Sequence, residues 1–132
     1  MDISVIIDRL KSLGYELDEE KDGWVVTFLI DKVINTIRNE CNVSVIPDGL
    51  MQVAVDMVCG EFLKGKKASG QLSGFEVDLN SATLKQTSSG DTSVTFAVDG
   101  LQSNEQRLDY LIEHLMNYGR AQFITYRRLK WT

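Results

Sequence analysis

At 132 residues, 43% hydrophobic and 25% charged, the chain has the length for one core and the balance of an ordinary folded protein, which excludes a wholly disordered one. No apolar run nears the roughly 18–20 residues that span a bilayer, so no membrane association is expected. A net charge of −5 sets the chain against non-specific attachment to nucleic acid, where affinity comes largely from Lys and Arg neutralising phosphates.

The start, Met1-Asp2-Ile3-Ser4, lacks the basic region of a secretory signal, so a cytosolic protein is expected. In that reducing compartment Cys41 and Cys59 are expected as free, buried thiols and not as a disulfide.

Residues 2–13 carry Ile3, Ile6, Ile7, Leu10 and Leu13 at helical spacing, with Gly14 as the stop. The acidic run 16–22, with Asp18-Glu19-Glu20, reads as a solvated connection. A second helix is expected over about 24–41, with Val26, Leu29 or Ile30, Val33, Ile37 and Cys41 on one broad face. Its first turns, Trp24-Val25-Val26-Thr27-Phe28, also have strand propensity, which leaves the starting point open.

After a short link, Pro47 opens a third helix at a position where its missing N–H costs nothing, and Asp48 complements the positive end of the dipole. This helix, to about Lys67, is apolar nearly all round and is expected to be the most buried. The basic run Lys64-Gly65-Lys66-Lys67 ends it, and a Gly/Ser-rich loop follows over 68–74.

Over residues 83–98 the period becomes alternating. Val94, Phe96 and Val98 share one side of a strand, and 83–87 is expected as its partner across Ser88-Ser89-Gly90-Asp91. Ser103 and Gln106 match a capping box opening a helix with Leu108, Leu111, Ile112, Leu115 and Met116 on its apolar face. Residues 120–132 then form a short amphipathic tail. The expected architecture is mainly α: one domain over 1–132, a small helical bundle with a protruding β-hairpin.

Little in the chain points to catalysis. Gly60-Glu61-Phe62-Leu63-Lys64-Gly65-Lys66-Lys67 resembles a phosphate-binding loop, but Lys67 stands where a Ser or Thr hydroxyl must meet magnesium, and the run ends a helix. His114 is the chain's one histidine, with no partner at metal-ligand spacing, and reads as an ordinary half-buried or surface side chain. Carboxylate pairs such as Asp18 with Glu20, or Asp109 with Glu113, fall in solvated or salt-bridged stretches. No enzymatic activity, cofactor or metal is expected.

Two regions stand out instead. The tail interleaves Tyr118, Arg120, Phe123, Tyr126, Arg127, Arg128, Lys130 and Trp131. Such a mixture suits a protein interface; the alternatives are a tail folded back on its own core and one that binds single-stranded nucleic acid by stacking and charge. The second region is the hairpin with its polar approach, a candidate docking arm with a plain surface hairpin as the alternative.

The order of parts resembles phage head–tail connector (head-completion adaptor) proteins. The resemblance is carried by Ile46-Pro47-Asp48-Gly49-Leu50 leading to Val55-Asp56-Met57-Val58-Cys59-Gly60-Glu61-Phe62-Leu63. Leu84-Lys85-Gln86 through Gly90-Asp91-Thr92-Ser93-Val94-Thr95-Phe96 and the closing Tyr126-Arg127-Arg128-Leu129-Lys130-Trp131 add to it. It covers about residues 30–131 and rests on order and spacing; the portion 1–23 departs from the shorter members.

The family implies self-association into a ring on the portal protein, extending the DNA channel and receiving further connector or tail-completion proteins. DNA then passes nearby without sequence-specific contact. The implied location is the host cytoplasm during assembly and then the virion, at the head–tail junction. The implied contact residues are Leu84, Lys85, Gln86, Val94 and Phe96 in the hairpin, and Arg120, Phe123, Tyr126, Arg127, Arg128 and Trp131 in the tail. The alternative function is a small nucleic-acid-binding or regulatory phage protein acting through its basic-aromatic tail.

Overall fold

The structure, a computed structural model, describes residues 1–72 and 104–127. The expected hairpin over 83–98, the cap residue Ser103 and the tail end from Arg128 lie outside the described residues. Within them the chain is mainly helical, and no strand is present.

The first helix, α1 (Ile3–Ser12), ends as its spacing predicts. Gly14 takes a positive φ of 95°, and the Tyr15 amide turns back to the Leu10 carbonyl at 2.9 Å. That left-handed step is open to glycine and costly to most other residues.

Helix α2 (Glu19–Cys41) corrects the expectation of an acidic linker, because it starts inside the acidic run. Asp18 is the N-cap: its Oδ1 accepts from the amides of Glu20 at 3.1 Å and Lys21 at 3.4 Å. Glu19, Glu20 and Asp22 then occupy the first turn, where the helix dipole favours negative charge. Asp22 turns inward, and its carboxylate meets Lys66 Nζ at 2.7 Å. The strand propensity of 24–28 is overridden by tertiary packing, since Val26, Leu29 and Ile30 are buried in the core.

Asn42 closes α2 in the left-handed conformation, φ 53°, and the chain turns toward Pro47. The third element begins as a 3₁₀ turn (Asp48–Leu50), whose first bond runs from the Leu50 amide to the Pro47 carbonyl at 2.9 Å. It continues as α3 (Met51–Ala68), which is the centre of the fold as expected: α1, α2 and α4 (Asn104–Asn117) all pack on it. Gly60 lets α4 approach closely, for a Cβ there would lie 2.6 Å from Met116 Cγ and 3.1 Å from Leu115 Cβ. The run resembling a phosphate loop is therefore helix through Lys67, with its first glycine at a helix–helix contact.

After α4 the chain forms a second 3₁₀ turn (Arg120–Gln122) and the one-turn helix α5 (Phe123–Tyr126), which packs on α2. Both cysteines are free and buried. No helix among the described residues is long and apolar enough to cross a membrane.

Candidate functional site

Three features concentrate polar or exposed aromatic chemistry: a buried carboxylate beside a cavity, the tail where it meets α2, and the outer face of α2.

Asp56, on α3, is buried, yet both its oxygens are occupied. Arg9 Nε donates to Oδ1 and the Tyr118 hydroxyl to Oδ2, each at 2.6 Å. The three side chains tie α1, α3 and the end of α4 together, as a buried charge requires if it is to be tolerated. They line a cavity of about 540 Å³ whose rim includes Val5, Met51 and Gln52.

Burial and the neighbouring carboxylate push the Tyr118 hydroxyl well above its ordinary value, so it remains a donor. His114 stacks on Tyr118, with ring centroids 4.9 Å apart, and on Tyr110 at 6.3 Å. Burial holds His114 below its ordinary pKa despite the opposing pull of Asp56. Burial also raises the Cys59 thiol far above its usual range, so it stays protonated. Among the described residues, no group of three or more His, Cys, Asp or Glu could hold a metal ion.

A second hollow of about 600 Å³ lies between α2 and the end of α3. Its charged groups largely answer one another: Asp22 pairs with Lys66, and Lys32 with Glu61 at 3.2 Å.

The tail residues singled out from the sequence meet α2, but in different ways. Phe123 is 2% exposed, so its ring is spent on the chain's own core. Tyr126 is half-buried with its hydroxyl against Gly49, where any Cβ would collide with it. Arg127 Nε donates to the Glu40 carbonyl at 3.0 Å, and Arg120 pairs with the Glu40 carboxylate, also at 3.0 Å. Arg120 and Arg127 remain exposed, as does Ile124. Leu84, Lys85, Gln86, Val94, Phe96, Arg128 and Trp131 lie outside the described residues.

The outer face of α2 was not singled out from the sequence. Trp24 is 74% exposed and Phe28 62%, and they stand one turn apart on the side opposite Val26, Ile30 and Val33. Glu20, one turn before, and Asp31, three residues after, continue the same stripe. The signal was available: a helix with its core face at Val26, Val33 and Ile37 must turn Trp24 and Phe28 away from it.

Compared with protein-family models, curated proteins and solved structures, the chain has no significant match.

Proposed function

We propose that the chain is a non-enzymatic structural subunit of a phage or prophage head–tail connector. It forms a ring on the portal, extends the DNA channel and receives the tail. The observation that carries this reading is the exposed Trp24–Phe28 pair on the longest helix of the described bundle. Two large aromatic rings held in water on a rigid element mark a protein-docking surface, because aromatic side chains are enriched at interfaces. The order of motifs at 46–63, 84–96 and 126–131 supplies the assignment to connectors, and the net charge of −5 suits a wall that DNA passes without adhering.

A tail that stacks on nucleic acid finds less support. Phe123 is buried, Tyr126 is packed against Gly49, and Arg120 and Arg127 are held by Glu40. The cavity beside Asp56 offers little to catalysis, since both carboxylate oxygens are already bonded.

Quantitative mass spectrometry of purified phage particles from the source strain tests the reading by comparing copies of this chain with copies of the portal subunit. A ratio near parity is expected. Absence of the chain from intact particles would end the connector reading.

A further inference from the structure

The cavity beside Asp56 pairs a part-buried guanidinium with an exposed apolar rim, and we propose that it captures the carboxy-terminal residue of another protein chain, one with an aliphatic side chain. This goes beyond the connector reading and does not depend on it.

The polar end of the site is Arg9. Its Nε is committed to Asp56 Oδ1 at 2.6 Å, and the Tyr118 hydroxyl covers the other Asp56 oxygen. The two Nη groups of Arg9 have no hydrogen-bond or ion-pair partner among the described residues, although the side chain is only 13% exposed. A guanidinium presents its N–H groups along fixed edges. With Nε taken, the edge between Nη1 and Nη2 is left, and two parallel N–H bonds there fit the two oxygens of a carboxylate. A lone carbonyl would answer only one of them.

The surroundings tolerate a second negative charge. Among the described residues Asp56 is the one carboxylate of the lining, and Arg9 already balances it. Asp2, Asp8 and Asp48 lie outside the lining and are exposed to water, which screens them. Met51, Gln52 and Val53, the first residues of α3, also line the cavity, and the amino end of a helix favours an anion. The exposed amides of Gln52 and Gln122 add further donors.

The apolar part sits one helical turn away. Val5 precedes Arg9 by four residues on α1, as Met51 precedes Val55 on α3. Four residues of helix rise about 6 Å, close to the reach from a terminal carboxylate to the tip of a leucine-sized side chain. At about 540 Å³ the cavity falls within the roughly 300–1,000 Å³ of sites that hold small ligands. Val5 is 43% exposed and Met51 37%, so the apolar surface continues outward past the guanidinium. Covering that rim takes the residues before the last one, which favours the end of a chain over a free acid.

The experiment titrates the full chain, followed residue by residue by NMR, with three probes. These are an acetylated tetrapeptide ending in two leucines with a free carboxylate, the same peptide closed by an amide, and hexanoate. The acid peptide is expected to give saturable shifts at Val5, Gln52 and Tyr118. The amide peptide is expected to bind about tenfold or more weaker, since it cannot meet both Nη groups as an anion. Hexanoate, which lacks the preceding residues, is expected to bind more weakly than the acid peptide. Arg9→Lys keeps a cation beside Asp56 without the planar edge and should erase the preference for acid over amide. Val5→Glu/Met51→Glu changes two exposed positions, so unfolding curves that superimpose on wild type show that the fold is kept. This variant is expected to lose the acid peptide.

No saturable shift with the acid peptide, equal binding of acid and amide, or undiminished binding by Val5→Glu/Met51→Glu overturns the proposal. Hexanoate bound as tightly as the peptide also overturns it, and assigns the cavity to a free aliphatic acid. None of these results bears on the copy number in particles, so this proposal and the connector reading fail separately.

Discussion

Two aromatic sets on this chain face opposite ways. Phe123, Tyr118 and Tyr126, from the basic-aromatic stretch that first suggests an interface, turn inward: Phe123 into the core, Tyr118 onto Asp56, Tyr126 onto Gly49. Trp24 and Phe28, at the start of a helix with strand propensity, turn outward. Composition alone does not separate an aromatic that holds the fold from one that meets a partner. What separates them is the face of the helix each occupies and what the rest of the chain brings against it.

Truncation should break the comparison cleanly if it is wrong. Phe123→Ala empties a fully packed site between α5 and α2, and urea unfolding is expected to show a loss of about 3–5 kcal/mol. A loss below about 1 kcal/mol would mean that the ring is not part of the core. Asp56→Ala is next, since it leaves Arg9 part-buried without its carboxylate and frees the Tyr118 hydroxyl. A loss of about 3 kcal/mol is expected, with the double variant Arg9→Met/Asp56→Leu recovering much of it.

Gly60→Ala sets a methyl against Met116 and Leu115 and is expected to cost about 1–2 kcal/mol as α3 and α4 shift apart. Trp24→Ala and Phe28→Ala, by contrast, should each stay within about 0.5 kcal/mol of wild type by the same assay. The outward set would then be large in area and small in folding energy.

The smallest expected effect is a drift with pH. His114 has its folded pKa below its ordinary value of 6.5, so below that value the unfolded chain binds more protons than the folded one. Its contribution is therefore complete above about pH 6.5 and lost as pH falls through the folded value. Asp56 pulls the other way, while Arg9 adds to the lowering, so the drift should be modest. Unfolding midpoints of His114→Phe should vary less between pH 7.5 and 5.5 than those of wild type; equal dependence would clear His114 of the effect.

The bundle was largely legible from hydrophobic spacing. Ile6 and Leu10 with Gly14 define α1, and the near-continuous apolar positions of residues 50–63 mark α3 as the centre, both as found. The start of α2 was not legible, because Asp22 looks like one more solvated acid until the fold brings Lys66 beside it. Periodicity reports a helix's own faces and says nothing of a partner supplied by a distant segment. For the same reason the helical turns found over 120–126 leave open from spacing alone the direction their rings take, which depends on Cys41 and Glu40 at the end of another helix. Trp24 and Phe28 were legible in principle from the phase of Val26, Val33 and Ile37, but strand propensity in the same five residues obscured that phase.

The most direct measurement is oxidative footprinting of the free chain and of intact particles, read peptide by peptide. In the free chain Trp24 and Phe28 are expected to be modified readily and Phe123 hardly at all. In particles, modification of Trp24 and Phe28 should fall sharply while Phe123 stays as protected as before. Unchanged reactivity at Trp24 and Phe28 in the particle, with new protection confined to the tail, would contradict the assignment of the outer face of α2 as the working surface.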